Sequence, residues 1–253
     1  FFQAEDGIRD SVAARGLGDV YKRQVGMTPI NDIETAKKEI ERCATKRKFL
    51  VAMLLPSVVV YGKTMGNEHY WPLFEEAERH NIPMIYHGAP SRGFGFDHLQ
   101  PFCKVHTLEH PVPLMIQLTD MMFSGVFETF PNLKFGFLEG GCAWVPFMMD
   151  RLDYEFDSVF GSPVRKFMKK KPSQIIRDTD SIWVSCEMGE RSLKHVLDFY
   201  GEDRIIYASD FPHEPTDDDL TADVPDFIAN NEYSNEVKAK ILGDNAKRLY
   251  NIH

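Results

Sequence analysis

No apolar run in this 253-residue chain is long enough to cross a bilayer. The longest, Phe49 to Tyr61, is 13 residues and is broken by Pro56 and Ser57, against the ~20 that a spanning helix needs. Cysteine is scarce: four residues, at 43, 103, 142 and 186, with no CxxC spacing. That excludes a disulfide scaffold or zinc knuckle and reads as reduced thiols of a cytoplasmic protein. Positive charge is in the minority, 29 Lys plus Arg against 38 Asp plus Glu for a net −9, so there is no general footprint for nucleic acid. No GxGxxG follows an early strand and no GxxxxGK[ST] occurs, which weighs against nucleotide-binding doubly wound folds. Internal repeats and linkers rich in Gly, Ser or Pro are also missing, so one domain is expected. What is present is 43% hydrophobic and 12% aromatic residues, enough for a substantial buried core.

Beyond Val25 the pattern alternates strand-like and helix-like segments. Short apolar runs are expected as strands at Gly26–Ile30, Phe49–Leu55, Met84–His87, Lys134–Glu139, Ile182–Cys186 and Arg204–Ser209. Between them lie helical faces: Ile33, Ala36, Ile40 and Cys43; Leu73, Phe74 and Ala77 after Pro72; Leu114, Leu118, Met121, Met122 and Val126. Trp144, Met148, Leu152, Phe156 and Val159 form another, and Leu193, Val196 and Leu197 the next. Asn31 with Glu34 has capping-box spacing, and Ser234 is the expected cap of a final helix ending near Gly243. Fully apolar strands separated by helices imply a parallel sheet covered by helices.

Four of these strands end on an ionisable residue: His87, Glu139, Glu187 and Asp210. In parallel α/β folds, and above all in (β/α)8 barrels, the C-terminal strand edge carries the site. One histidine and three carboxylates there suit a divalent metal plus a proton-transfer group. Glu187 could equally pair with Arg191 one helical turn on. The excursion after His87 holds Arg92 and His98 among aromatics, able to cover a pocket and hold a carboxylate, or simply to pack on the surface. His106 and His110 stand four apart, but HTLEH is not HExxH, and Pro111 and Pro113 indicate a helix start. Both are expected at the surface or lining a pocket. Trp144 and Trp183 are expected in the core.

The stretches IPMIYHG (82–88), FSGVFETFPNLKFGFLEGGCAWVPFMMDRLD (123–153), GEDRIIYASDFPH (201–213) and ILGDNAKRLYNI (241–252) resemble amidohydrolase family 2, metal-dependent TIM-barrel hydrolases and decarboxylases. The resemblance implies a (β/α)8 barrel in which His87, from the fifth strand, and Asp210, from the eighth, are metal ligands. It implies that His213 supports the mouth and that zinc is the first candidate ion. Glu139 takes the sixth-strand place where the decarboxylases carry a His acid/base. Glu139 and Asp210 are therefore the catalytic candidates, and Arg92, His98, His213 and Glu187 the substrate-binding ones. The family's HxH pair is missing, because none of the nine histidines forms one.

Residues 1–24 resemble translated sequencing-adapter sequence, and their four acids balance four bases. They are expected to be foreign, with 25–253 as the barrel domain holding about six of eight βα units and Gly26–Ile30 as roughly the third strand. An open barrel that retains metal poorly follows from that expectation. The expected function is metal-dependent hydrolysis or decarboxylation of a small carboxylated substrate, by activating water or by orienting and polarising the substrate. The competing expectation is a barrel without a working metal site that serves as a binding protein. A small molecule is the expected partner, nucleic acid and membrane are not, and a homo-oligomer stays open.

Overall fold

The computed structural model describes residues 24–46, 50–57, 59–60, 62–88, 94–187, 189–209 and 224–252. Six strands form one sheet in chain order, every neighbouring pair parallel. They are β1 (Gln24–Met27), β2 (Leu50–Pro56), β3 (Met84–His87), β4 (Phe135–Leu138), β5 (Ile182–Cys186) and β6 (Ile205–Tyr207). Six strands of the (β/α)8 type are thus present among the described residues, with β1 and β6 at the two edges. Gln24, the last of the residues expected to be foreign, opens β1 opposite Leu50. The rest of that segment lies outside the described residues. The first strand runs earlier than the expected Gly26–Ile30, because Pro29, which has no N–H to give a ladder, sits in the turn beyond it.

Alternation along the strands sorts the core into two layers. Met53, Leu55, Met84, Tyr86, Phe135, Phe137, Ile182 and Val184 are buried beneath the helices. The residues in the opposite phase, Ala52, Ile85, Trp183 and Ile206, form a smaller cluster on the other face. Leu249 closes that cluster, with Ala246 and Tyr250 packed against it. Leu249 and Ala246 lie on α10 (Asn245–Leu249), the last helix among the described residues, and Tyr250 is its C-cap. His87 is in phase with Ile85, so it belongs to the inner face of the barrel.

The helices follow the apolar spacing. In α1 (Ile33–Lys46) Ala36, Ile40 and Cys43 are buried. Its cap is Asp32 rather than Asn31: the Asp32 carboxylate accepts from the Thr35 N–H at 3.1 Å and from its hydroxyl at 2.9 Å. Helix α2 (Trp71–Arg79) starts at Pro72 and buries Leu73, Phe74 and Ala77. The excursion after His87 contains α3 (Cys103–Glu109) and then α4 (Pro111–Phe123), followed by α5 (Val126–Thr129). Helix α6 (Trp144–Asp157) buries Trp144, Met148, Leu152 and Phe156. Val159 lies beyond its end and is exposed. Then come α7 (Pro172–Asp178) and α8 (Leu193–Tyr200). Ser234 caps α9 (Asn235–Ala239) as expected, accepting from the Val237 N–H at 3.2 Å. Gly243 does not stop that helix. The backbone widens into a π-turn over Lys240–Asp244 and continues into α10. Trp144 and Trp183 are in the core. No helix among the described residues is long and apolar enough to cross a membrane.

Candidate metal centre at the strand C-termini

His87 closes β3, and its backbone carbonyl is held from β2. It accepts from the Ser57 hydroxyl and, at 3.3 Å, from the Ser57 N–H. Gln117 on α4 locks Ser57 in turn. Its amide donates to the Ser57 carbonyl at 3.0 Å, and its oxygen accepts from the Met65 N–H at 2.9 Å. Nδ1 of His87 meets the Gly88 carbonyl. A carbonyl can only accept, so Nδ1 carries a proton, and in the neutral ring Nε2 presents a lone pair.

That lone pair faces Glu139, whose Oε2 is in contact with His87 Nε2. Strict alternation would not put it there. Phe135 and Phe137 face the helices and Leu138 the inner cluster, so Glu139 would point outward again. Its φ of +65° breaks the alternation, and its N–H is anchored on the Ser185 hydroxyl at 2.8 Å. A non-glycine residue in the left-handed region costs ~1–3 kcal/mol and persists where surroundings impose it, characteristically at functional sites.

A third group arrives from outside the sheet. His110 sits between α3 and α4, with Nδ1 3.9 Å from Glu139 Oε2 and its ring edge-on to His87 at 5.8 Å between centroids. Glycine permits the approach: a Cβ on Gly88 would lie 2.3 Å from His110 Cα and 2.8 Å from its Nδ1. His87, His110 and Glu139 each offer one ligand atom, all within 4.8 Å of one another. The same holds for His106, Glu109 and His110.

The loop after Glu139 is held by Glu190, which the sequence pattern did not single out. Its carboxylate accepts from the N–H groups of Cys142, Ala143 and Glu187 at 2.9–3.1 Å. Anionic oxygen at the start of α6 also complements the helix dipole. Burial first, and the Glu190 charge second, push the Cys142 thiol far above its usual value. Burial does the same to Cys186. Neither is a nucleophile near neutral pH.

Of the residues expected at the site, His87 and Glu139 are brought together. His110, the second histidine of HTLEH, joins them. The signals available for it were the glycine after His87 and the helix-starting Pro111. Glu187 follows β5 and is exposed, and His98 is exposed in the short turn Phe96–His98. Neither joins a ligand cluster among the described residues. Arg92, Asp210 and His213 lie outside the described residues.

Parallel strands in chain order with helices between them define an α/β architecture of the TIM-barrel type, and the His–Glu–His set is a candidate site at its strand C-termini. A family profile described as Amidohydrolase matches residues 3–252, and the chain belongs to that family. It is 25% identical over 245 residues to the 2-amino-3-carboxymuconate-6-semialdehyde decarboxylase of Dictyostelium discoideum, covering 92% of this chain and 62% of that protein. The chain therefore spans less than two thirds of this relative's length. Among solved structures it resembles the 5-carboxyvanillate decarboxylase of Sphingomonas paucimobilis, with TM-score 0.75, 22% identity, and coverage of 91% of this chain and 67% of that one. It also resembles a dihydroxybenzoic acid decarboxylase of Polaromonas sp. JS666 with bound manganese and the inhibitor 2-nitroresorcinol. There the TM-score is 0.72, identity 21%, and coverage 91% and 69%.

Proposed function

We propose that this chain carries the barrel site of a metal-dependent decarboxylase of a small carboxylated organic acid, with hydrolysis as the alternative outcome of the same machinery. One observation carries the reading. The Nε2 lone pair of His87, the Glu139 carboxylate and an imidazole nitrogen of His110 converge within 4.8 Å. Acceptors facing one another call for a cation between them, and two imidazoles with a carboxylate suit a divalent ion, zinc first and manganese next. His87, His110 and Glu139 would hold it, and Asp210 is the further ligand that the family resemblance proposes.

When bound, the ion supplies Lewis acidity to a substrate oxygen. This chain's own residues do the rest. Breaking the bond to the departing carboxylate leaves its electron pair on the substrate carbon, which must take up a proton. Solvent supplies that proton, and Glu139, through the second oxygen of its carboxylate, would relay it to the carbon. Arg92 and His98 are proposed to orient the substrate carboxylate from the loop after β3, with His213 and Glu187 at the rim. Residues 1–24 are proposed to be foreign to the domain on their adapter-like sequence, against which stand a family profile that begins at residue 3 and the pairing of Gln24 in β1. Sequencing the 5′ region of the gene tests this, with native codons running through residue 1 as the contrary result.

The function is tested by incubating the metal-loaded protein with a panel of hydroxylated benzoates and carboxymuconate-type acids and measuring released CO2. Metal-dependent release that is lost in Glu139→Gln and His87→Ala supports the reading. Hydrolysis products without CO2 would select the alternative outcome. Metal binding with no turnover of any kind would favour a binding protein.

A further inference from the structure

We propose that Glu109 is a positioning residue: it fixes the tautomer of His110 so that the imidazole offers Nδ1 to the His87–Glu139 pair. The inference rests on the metal reading above and adds a residue that neither the strand-end pattern nor the family resemblance contains.

Glu109 is the last residue of α3, and its side chain is only 5% exposed. A carboxylate so deeply placed is costly unless cationic or N–H groups face it. Two imidazoles do. Its Oε1 lies 3.8 Å from His110 Nε2 and 3.9 Å from His106 Nε2. Its Oε2 has no hydrogen-bond partner among the described residues. The His106 and His110 rings stand edge to face at 5.2 Å between centroids, with the carboxylate reaching both.

The consequence follows from the donor inventory of imidazole. A neutral ring has one N–H and one lone pair, and a carboxylate beside Nε2 favours the tautomer with the proton there. The lone pair of His110 is then on Nδ1, the atom 3.9 Å from Glu139 Oε2. Glu139, 3.9 Å from Nδ1, draws the proton the other way; the more deeply buried Glu109 opposes it, and without Glu109 the N–H would turn toward Glu139 and remove His110 from the ligand set. An outer carboxylate that orients a histidine ligand is worth roughly 10–100-fold in metal affinity. The separations are at ion-pair rather than hydrogen-bond distance.

The test compares wild type with Glu109→Leu and Glu109→Gln, the second keeping shape and one acceptor oxygen. Two readouts are used: manganese and zinc affinity of the metal-free protein by competition titration, and the His110 tautomer by long-range 15N–1H correlation. Glu109→Leu is expected to weaken metal binding 10–100-fold and shift His110 away from the Nε2–H form, and Glu109→Gln to do less of both. His87→Ala should weaken metal binding without changing the tautomer. An unchanged tautomer in Glu109→Leu would overturn the proposal. A second bound metal equivalent lost in His106→Ala would also overturn it, by making Glu109 a ligand. If wild type binds no metal, the metal reading fails by itself, and the tautomer shift still decides the role of Glu109.

Discussion

Gly88→Ala is the most economical perturbation of the site, because it adds one methyl group and removes no ligand. The added Cβ would lie 2.3 Å from His110 Cα, whereas ordinary contact begins at 3.4 Å. The obstacle is backbone at the junction of two helices, not the free end of a side chain, so His110 must retreat by at least about 1.1 Å. Overpacking of this kind costs ~1–3 kcal/mol, and a reacting group misplaced by ~1 Å loses activity on the order of 10²-fold. Urea unfolding should show a lower midpoint with an unchanged slope, and manganese titration should show affinity lost. Gly189→Ala is the control, since a Cβ there meets nothing within 4 Å. Metal affinity and stability equal to wild type in Gly88→Ala would refute the idea that this glycine exists to admit His110.

Other consequences are open to measurement. Glu139→Gly should abolish metal binding while leaving stability equal or raised by up to ~1 kcal/mol, because it relieves the φ of +65°; a clear loss of stability would contradict the strain argument. Gln117→Leu strands the Ser57 carbonyl and the Met65 N–H, both now bonded to its amide, and should cost ~2–6 kcal/mol in denaturant unfolding at ~1–3 kcal/mol per buried group. Of the four cysteines only Cys103 is exposed, so a thiol reagent should titrate one group in the native protein and four after unfolding. The N–H and hydroxyl of Thr35 hold the Asp32 carboxyl below its ordinary value of 3.8. The charge-dependent part of that cap is thus fully present above pH 3.8 and lost as pH falls through the lower folded value. The gap in unfolding midpoint between wild type and Asp32→Asn should stay constant near neutral pH and close in acid.

The layered architecture was legible because apolar strands and helical faces are written in residue spacing, and period alone placed Met84–His87 and Ile182–Cys186 to the residue. The ends were less legible where local chemistry competes with period. Asp32, one residue beyond the expected cap, binds Thr35 twice, and Gly243 is carried through by a π-turn. At the site, His87 and Glu139 could be read as strand-end residues, yet not how they meet, because a left-handed residue reverses the side-chain alternation on which such reading depends. His110 and Glu109 come from a helix junction some 20 residues further along the chain. Only the steric void at Gly88 brings them to the strand end. Glu190 was invisible for a similar reason, since its partners are backbone N–H groups that leave no residue-type signature.

The central claim is that His87, Glu139 and His110 together hold one divalent cation. Anomalous diffraction at the manganese edge from crystals soaked in manganese chloride tests it most directly. The account predicts a single strong peak about 2.0–2.3 Å from His87 Nε2, His110 Nδ1 and a Glu139 oxygen. A fully soaked crystal with no peak there, or with its peak on other side chains, would contradict it.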